Sequence, residues 1–191
     1  MKTPPVIIAD YYRKHALLPD ETIECMEYTL KSIYNELSKF VIYLAFFTLI
    51  HLTEVYLITY CTFVSLRTFA GGVHCKTYWQ CFTLSFILIS GTIILACSCR
   101  TTLVLWILSL SSTVFPAVLA PVTPSFRIIK TPQNMWVLKL IATGLTLVWI
   151  GIAYCFRNNT PVTNAILLSI IVTNYQLIIP KWIIKLKTAR R

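Results

Sequence analysis

Beyond Glu54 the chain has no aspartate and no glutamate. Its seven acidic residues are Asp10, Asp20, Glu21, Glu24, Glu27, Glu36 and Glu54. That gap excludes chemistry needing paired carboxylates on different helices: intramembrane aspartyl proteolysis, glycoside hydrolysis and carboxylate-held magnesium or calcium. Charge of either sign is scarce, 13% of the 191 residues, where a soluble domain carries about a quarter. The seven cysteines are odd in number and show no CxxC spacing, which speaks against a disulfide framework. Most lie in apolar segments, where a thiol behaves as a small hydrophobe. The start, MKTPPVIIADYYRK, has a four-residue apolar patch before charge returns, so it is not expected to be a secretory signal.

What remains is apolar: 57% of the residues are hydrophobic and the mean hydropathy is +0.70. A chain of 21.9 kDa with this composition belongs in a bilayer and leaves no room for a separate soluble catalytic module. The fold class expected is all-α, a polytopic integral membrane protein. Charge-free apolar runs cover 79–99, 101–120, 140–156 and 162–179, against a need of about 20 residues per spanning helix. A further apolar stretch, 40–66, is interrupted by His51 and Glu54 and reads either as one long helix or as two short ones.

Loop charge separates these alternatives. With two short segments and a cytoplasmic amino terminus, fifteen cations fall inside and only Arg100 and Arg157 outside; with one long helix the split is 7 to 10. The positive-inside rule therefore favours about six membrane segments, the first two short, in a multi-pass cell-membrane protein with both termini cytoplasmic. Trp79, Trp136 and Trp182 then stand at cytoplasmic helix ends as interface anchors.

Ahead of the membrane, Ile23, Met26, Leu30, Ile33 and Leu37 recur at helical spacing opposite Glu24, Glu27, Lys31 and Asn35. Residues 20–39 are thus expected to form an amphipathic helix on the cytoplasmic face, with a weaker amphipathic turn over 6–18. The expected organisation is a segment 1–39 followed by a helical membrane domain 40–191. Within that domain lie a polar loop 67–81 and a basic cytoplasmic loop 121–133.

The loop 67–81 gathers the reactive side chains that an apolar chain otherwise lacks: Arg67, Gly71, Gly72, His74, Cys75 and Cys81. Thr77 with Gln80 three residues on reads as a capping box, which starts a helix at Thr77 and puts Cys81 in its first turns. A thiol at a helix amino terminus feels the positive dipole end and the unpaired amides, which favour the thiolate. The same amides are candidates for holding a developing oxyanion. On one continuous helix His74 and Cys81 would stand about 10 Å apart. They can meet as base and nucleophile only if the chain turns between them, which Gly71 and Gly72 allow. Cys75 is a rival nucleophile that precedes the helix.

Arg67, Phe-Ala-Gly-Gly at 69–72, His74 and Cys81, in an apolar chain of this length behind an amphipathic start, resemble the accessory gene regulator B (AgrB) family. The resemblance implies a membrane cysteine endopeptidase of peptide quorum sensing. Such an enzyme removes the carboxyl-terminal tail of an AgrD-type precursor and leaves a cyclic thiolactone or lactone. It implies Cys81 as nucleophile, His74 as base, and Arg67, Gly71 and Gly72 in support. It also implies attraction of the peptide tail by Arg127 and Lys130, and a homodimer. Cys75 and the scattered loop cations depart from the family pattern. The loop cations also have a topological reading, orientation and contact with anionic membrane lipid.

No metal or organic cofactor and no nucleic-acid partner is expected. Two other classes stay open on the residues alone. One is a small transporter or channel subunit whose cavity His74 and Cys81 line; the other is a metal-binding protein using His74, Cys75 and Cys81. Elsewhere, His51 and Glu54 are spaced to pair, and Gly144 and Gly151, two turns apart, are expected to ease helix packing.

Overall fold

A computed structural model describes residues 4–14, 19–71, 77–100, 103–120 and 132–178. Regular structure among them is helical throughout, eight α-helices in two units that fall within residues 1–49 and 50–191.

The first unit holds α1 (Pro4–Lys14) and α2 (Asp20–Leu49). Pro4 suits a first helical position, and Arg13 and Lys14 face the negative dipole end in the last turn of α1. The Pro19 carbonyl accepts from the Thr22 and Ile23 amides at 2.9 and 3.1 Å and so opens α2. Arg13 reaches across to Glu27 at 3.4 Å, tying α1 to α2. The expected amphipathic segment and the first apolar stretch are one 30-residue helix, continuous through Lys39 and Phe40. Of the expected apolar line, Ile23 is buried while Ile33 and Leu37 are exposed; farther along, Lys39, Tyr43 and Phe47, four apart, are buried. Glu36 pairs with Lys39 from one turn before, which neutralises the ammonium while its alkyl stem packs.

The stretch 40–66 is broken, not one helix. His51 adopts φ 59°, left-handed backbone that ends a helix, and α3 (Thr53–Ala70) follows. Glu54 lies in the first turn of α3 and favours its positive end. The pairing expected of His51 and Glu54 is not found among the described ion pairs, since the left-handed turn takes His51 out of the helical register that would align them.

The second unit continues with α4 (Tyr78–Ser98), α5 (Leu103–Ser112), α6 (Val114–Leu119), α7 (Pro132–Cys155) and α8 (Thr160–Tyr175). Two helices are long and apolar enough to cross a bilayer: α4, with mean hydropathy 2.1, and Met135–Cys155 of α7, with 1.8. Each buries one narrow face of mostly small residues. In α4 this is Ser85, Ile89, Thr92, Ile93 and Ala96; in α7 it is Ala142, Thr146 and Ala153. Large apolar side chains such as Ile87, Ile94, Leu140 and Val148 point outward, and Trp79 and Trp136 stand exposed near the starts of α4 and α7. The run expected as a single span over 101–120 is interrupted at Thr113. Pro116 has no N–H to offer the Ser112 carbonyl, so the helix breaks and Thr113 closes a tighter turn onto Leu110 at 3.2 Å.

One of the expected spans, α8, is the centre of the unit. It packs against α3, α4, α5, α6 and α7 and is buried on nearly every side. Leu66, Ala153, Val162, Ile166, Leu167 and Ile170 form its apolar core. Near its start, polar contacts tie it to its neighbours. Asn164 donates to the carbonyls of Ala96 and Cys99 at 3.2 and 2.7 Å, and Ser109 of α5 donates to the Leu167 carbonyl at 3.3 Å. Asn159 caps the α8 start through the Val162 amide, with a proline in the first two positions. Gly144 and Gly151 do not serve packing inside the protein, because a Cβ at either would meet nothing within 4 Å.

Candidate functional site

The expected site falls where α3 ends and α4 begins, two helices that pack on each other. Arg67 lies half-buried in the last turn of α3, and its carbonyl accepts the Gly71 amide at 3.0 Å. Gly71 ends the helix at φ 87°, ψ −164°, backbone that a side chain cannot follow without strain. The adjoining Ala70 is buried in a cluster with Ala120, Ala142 and Leu177, with Phe69, Phe115 and Leu119 packed around it. Small residues let the ends of α3, α6 and α8 approach closely here.

On the α4 side, Thr77 is the N-cap, with extended backbone, and its hydroxyl accepts from the Gln80 amide at 3.4 Å. Only this half of the predicted capping box forms. Gln80 is exposed, and no bond from its side chain returns to Thr77 among the described residues. Cys81 is half-buried, its thiol outside any disulfide. Its amide donates to the Thr77 carbonyl at 3.2 Å. The nucleophile candidate therefore sits at the fourth helical position. The amides of Gln80 and Cys81 are taken by the cap and the helix, so neither is among the unpaired amides that the oxyanion expectation needs. Tyr78, Trp79 and Phe82 make an aromatic cluster around the same turn, with ring centroids 5.5–6.0 Å apart.

Arg67, Gly71 and Cys81 thus come to one end of the second unit. Gly72, His74 and Cys75 lie outside the described residues, as do Arg127, Lys130 and Trp182. Among the described residues no three His, Cys, Asp or Glu side chains gather as metal ligands.

Sequence reasoning missed a polar group at the end of α8. Thr173, Asn174 and Gln176 are buried, and Asn174 donates to Ser112 at the α5–α6 break at 3.0 Å. The signal was available: amide and hydroxyl side chains inside an otherwise apolar run, and a proline four residues after Ser112.

These features define a helical membrane protein with a polar, cysteine-bearing turn at one end of its bundle. The sequence model of the family described as accessory gene regulator B, AgrB, matches residues 6–179. An AgrB-like protein of Clostridium beijerinckii is 31% identical over 174 residues, covering 88% of this chain and 83% of that protein. No solved structure matches. The chain belongs to the AgrB family, which works in quorum-sensing peptide processing with AgrD-type precursors at the membrane.

Proposed function

We propose that this protein is a membrane cysteine endopeptidase that removes the carboxyl-terminal tail of an AgrD-type precursor. The observation that carries the reading is the placement of Cys81 in the capped opening turns of an apolar helix, beside the Arg67–Gly71 end of α3, in an AgrB-family chain. His74 is the general base in this reading, with Arg67, Gly71 and Gly72 in support.

His74 takes the Cys81 proton, and the thiolate attacks the scissile carbonyl. The C–N bond breaks as the imidazolium returns the proton to the departing amine, which leaves the peptide as a thioester on Cys81. A thiol or hydroxyl within the same peptide then takes the acyl group and releases a cyclic thiolactone or lactone. Transfer to a thiol replaces one thioester by another at little energetic cost, provided water stays away. An apolar site level with the membrane supplies that exclusion.

Around this chemistry the reading places a multi-pass protein in the cell membrane with both termini cytoplasmic, supported by the fifteen-to-two division of cations. It also places Arg127 and Lys130 against the acidic peptide tail, anionic lipid at the same surface, and a homodimer.

The test is Cys81→Ala and Cys81→Ser in membranes supplied with the precursor. Both variants should insert normally and lose cleavage. Retained cleavage in Cys81→Ala would reject Cys81 as the nucleophile, and no cleavage by the parental protein would return the transporter alternative.

A further inference from the structure

Both ends of α7 carry a cation laid on an exposed aromatic ring. At the start, the Lys139 ammonium stands 5.7 Å from the centroid of the Trp136 ring; past the end, the Arg157 guanidinium carbon stands 4.9 Å from that of Tyr154. In each case the cation follows its ring by one helical turn, and both rings are exposed. At about 3.6 residues per turn, the spacing from Trp136 to Tyr154 returns the second ring to the same face of α7, roughly 27 Å farther along the axis. The hydrocarbon core of a bilayer is about 30 Å thick. Between the rings this side of α7 shows exposed Leu140 and Leu147, with Gly144 and Gly151 where a Cβ would meet nothing within 4 Å. The two pairs thus stand at the two headgroup levels, with a strip for acyl chains between them.

The pair at the Arg157 end is the more fully built. Tyr154 is braced from α5 by Trp106, edge to face, with centroids 6.4 Å apart and planes at 75°. Arg157 donates from Nη1 to Tyr154 Oη at 2.8 Å, so the hydroxyl accepts there and keeps its own proton to donate. No carboxylate neutralises either cation. The described ion pairs fall within residues 10–39, and the chain has no acidic residue after Glu54. A guanidinium fork steadied on a ring, with a hydroxyl beside it that also donates, complements a phosphodiester at headgroup depth.

This end of the bundle is the one away from Cys81. The Thr163 hydroxyl of α8 donates to the Phe156 carbonyl at 2.6 Å, and the adjoining Asn164 bonds the Cys99 carbonyl past the end of α4. The end of α7, the start of α8 and the end of α4 therefore meet, and Cys81 stands roughly 27 Å back along α4. The loop with Arg127 and Lys130 precedes the other end of α7. A second copy packed in parallel through the same face would bring Arg157 to Arg157 and Lys139 to Lys139, with no carboxylate on α7 to separate them.

We propose that an acidic phospholipid sits on this face of α7. The Arg157 guanidinium and the Tyr154 hydroxyl hold its phosphodiester, and its acyl chains lie along Leu147 and the open space at Gly151 and Gly144.

The test uses the full-length protein in detergent and phosphatidylglycerol with a photoreactive diazirine in one acyl chain, the labelled residues being mapped by mass spectrometry. Labels should fall on α7 between Gly144 and Tyr154, and phosphatidylcholine with the same diazirine should label these positions about fivefold less. Arg157→Gln should reduce labelling by phosphatidylglycerol about fivefold and Tyr154→Phe about twofold. Both side chains are exposed, so the melting temperature without lipid should stay near the parental value. Arg157→Lys keeps the charge and loses the fork, and should retain only part of the labelling. Equal labelling by the two lipids, or parental labelling in Arg157→Gln or Arg157→Lys, overturns the seat. Inorganic phosphate that raises the melting temperature as far as phosphatidylglycerol does would assign the anion to solution and overturn the lipid. Absent labelling, with an oligomer that Gly151→Trp splits into monomers, would give the face to a second copy instead.

Discussion

Asn164 of α8 donates its side-chain amide to the carbonyl oxygen of Cys99, just past the end of α4, at 2.7 Å. A second bond from the same nitrogen reaches Ala96 at 3.2 Å. The carbonyls of a last helical turn have no partner in their own helix, and inside a bilayer no water need be at hand to provide one. One buried amide on the central helix thus closes the end of a membrane-length helix and fixes the register of the two. Asn164→Leu should cost about 1–3 kcal/mol, because it strands acceptors instead of merely deleting a contact. Thermal unfolding in detergent measures it. Asn164→Asp should be no better, since a carboxylate cannot donate.

Gly71 gives a second prediction. At φ 87°, ψ −164° it occupies a region open essentially to glycine alone, at the point where α3 gives way to the loop that holds the motif. Gly71→Ala should lose about 1–3 kcal/mol or shift the chain at that point. In the peptidase reading it should slow precursor cleavage while leaving membrane insertion intact. Cleavage at the parental rate with unchanged stability would show that the backbone conformation is not needed.

Much of this arrangement was legible in residues. The Thr77 cap and the start of α4 follow from local chemistry that needs no tertiary information, and the break within 40–66 follows from the division of cations between the two sides of the membrane. The interruption at Thr113 was equally local, but Pro116 sits in a charge-free run whose length alone suggested one span. The place of α8 was not legible. Composition makes 162–179 look like any other apolar helix, and only packing on five neighbours makes it a core helix whose Asn164 bonds another helix's backbone. Sequence spacing put Ile33 and Leu37 on the apolar line of a surface helix and gave no sign of a second, buried line. Within the protein Lys39, Tyr43 and Phe47 are buried, because which line is covered depends on partners that periodicity does not name.

Gly144 and Gly151 illustrate the same limit and carry a prediction. Spaced two turns apart on an apolar helix they look like a close-packing face, yet a Cβ at either position, or at Gly91, meets open space. With no contact to lose, replacement by alanine gains helix propensity. Gly91→Ala, Gly144→Ala and Gly151→Ala should each stabilise by about 0.5–1 kcal/mol in detergent. A loss confined to Gly144→Ala and Gly151→Ala would mean that this side of α7 is covered by another chain.

A bond between helices supplies a further measurement. Trp149 of α7 donates its indole N–H to the Ser65 hydroxyl of α3 at 2.8 Å, and Ser65 passes its proton to the Thr62 carbonyl at 3.1 Å. Trp149→Phe keeps the aromatic packing and removes the donor. Interhelical bonds of this kind contribute about 0.6 kcal/mol on average in membrane proteins, and up to about 1.7. A melting shift in that range is expected, and Ser65→Ala should add nothing once Trp149 is phenylalanine.

His51 completes the set. Its φ of 59° is left-handed, where a side chain with a Cβ is disfavoured by roughly 1–2 kcal/mol. Glycine carries no such penalty, though it adds freedom to the unfolded chain that offsets part of the gain. His51→Gly should therefore stabilise modestly, by about 0.5 kcal/mol, whereas His51→Val, branched at Cβ, should destabilise by more than that. The contrast isolates backbone geometry from any contribution of the imidazole, which both variants remove. Equal losses in the two would assign the position to the imidazole's own contacts and not to the turn.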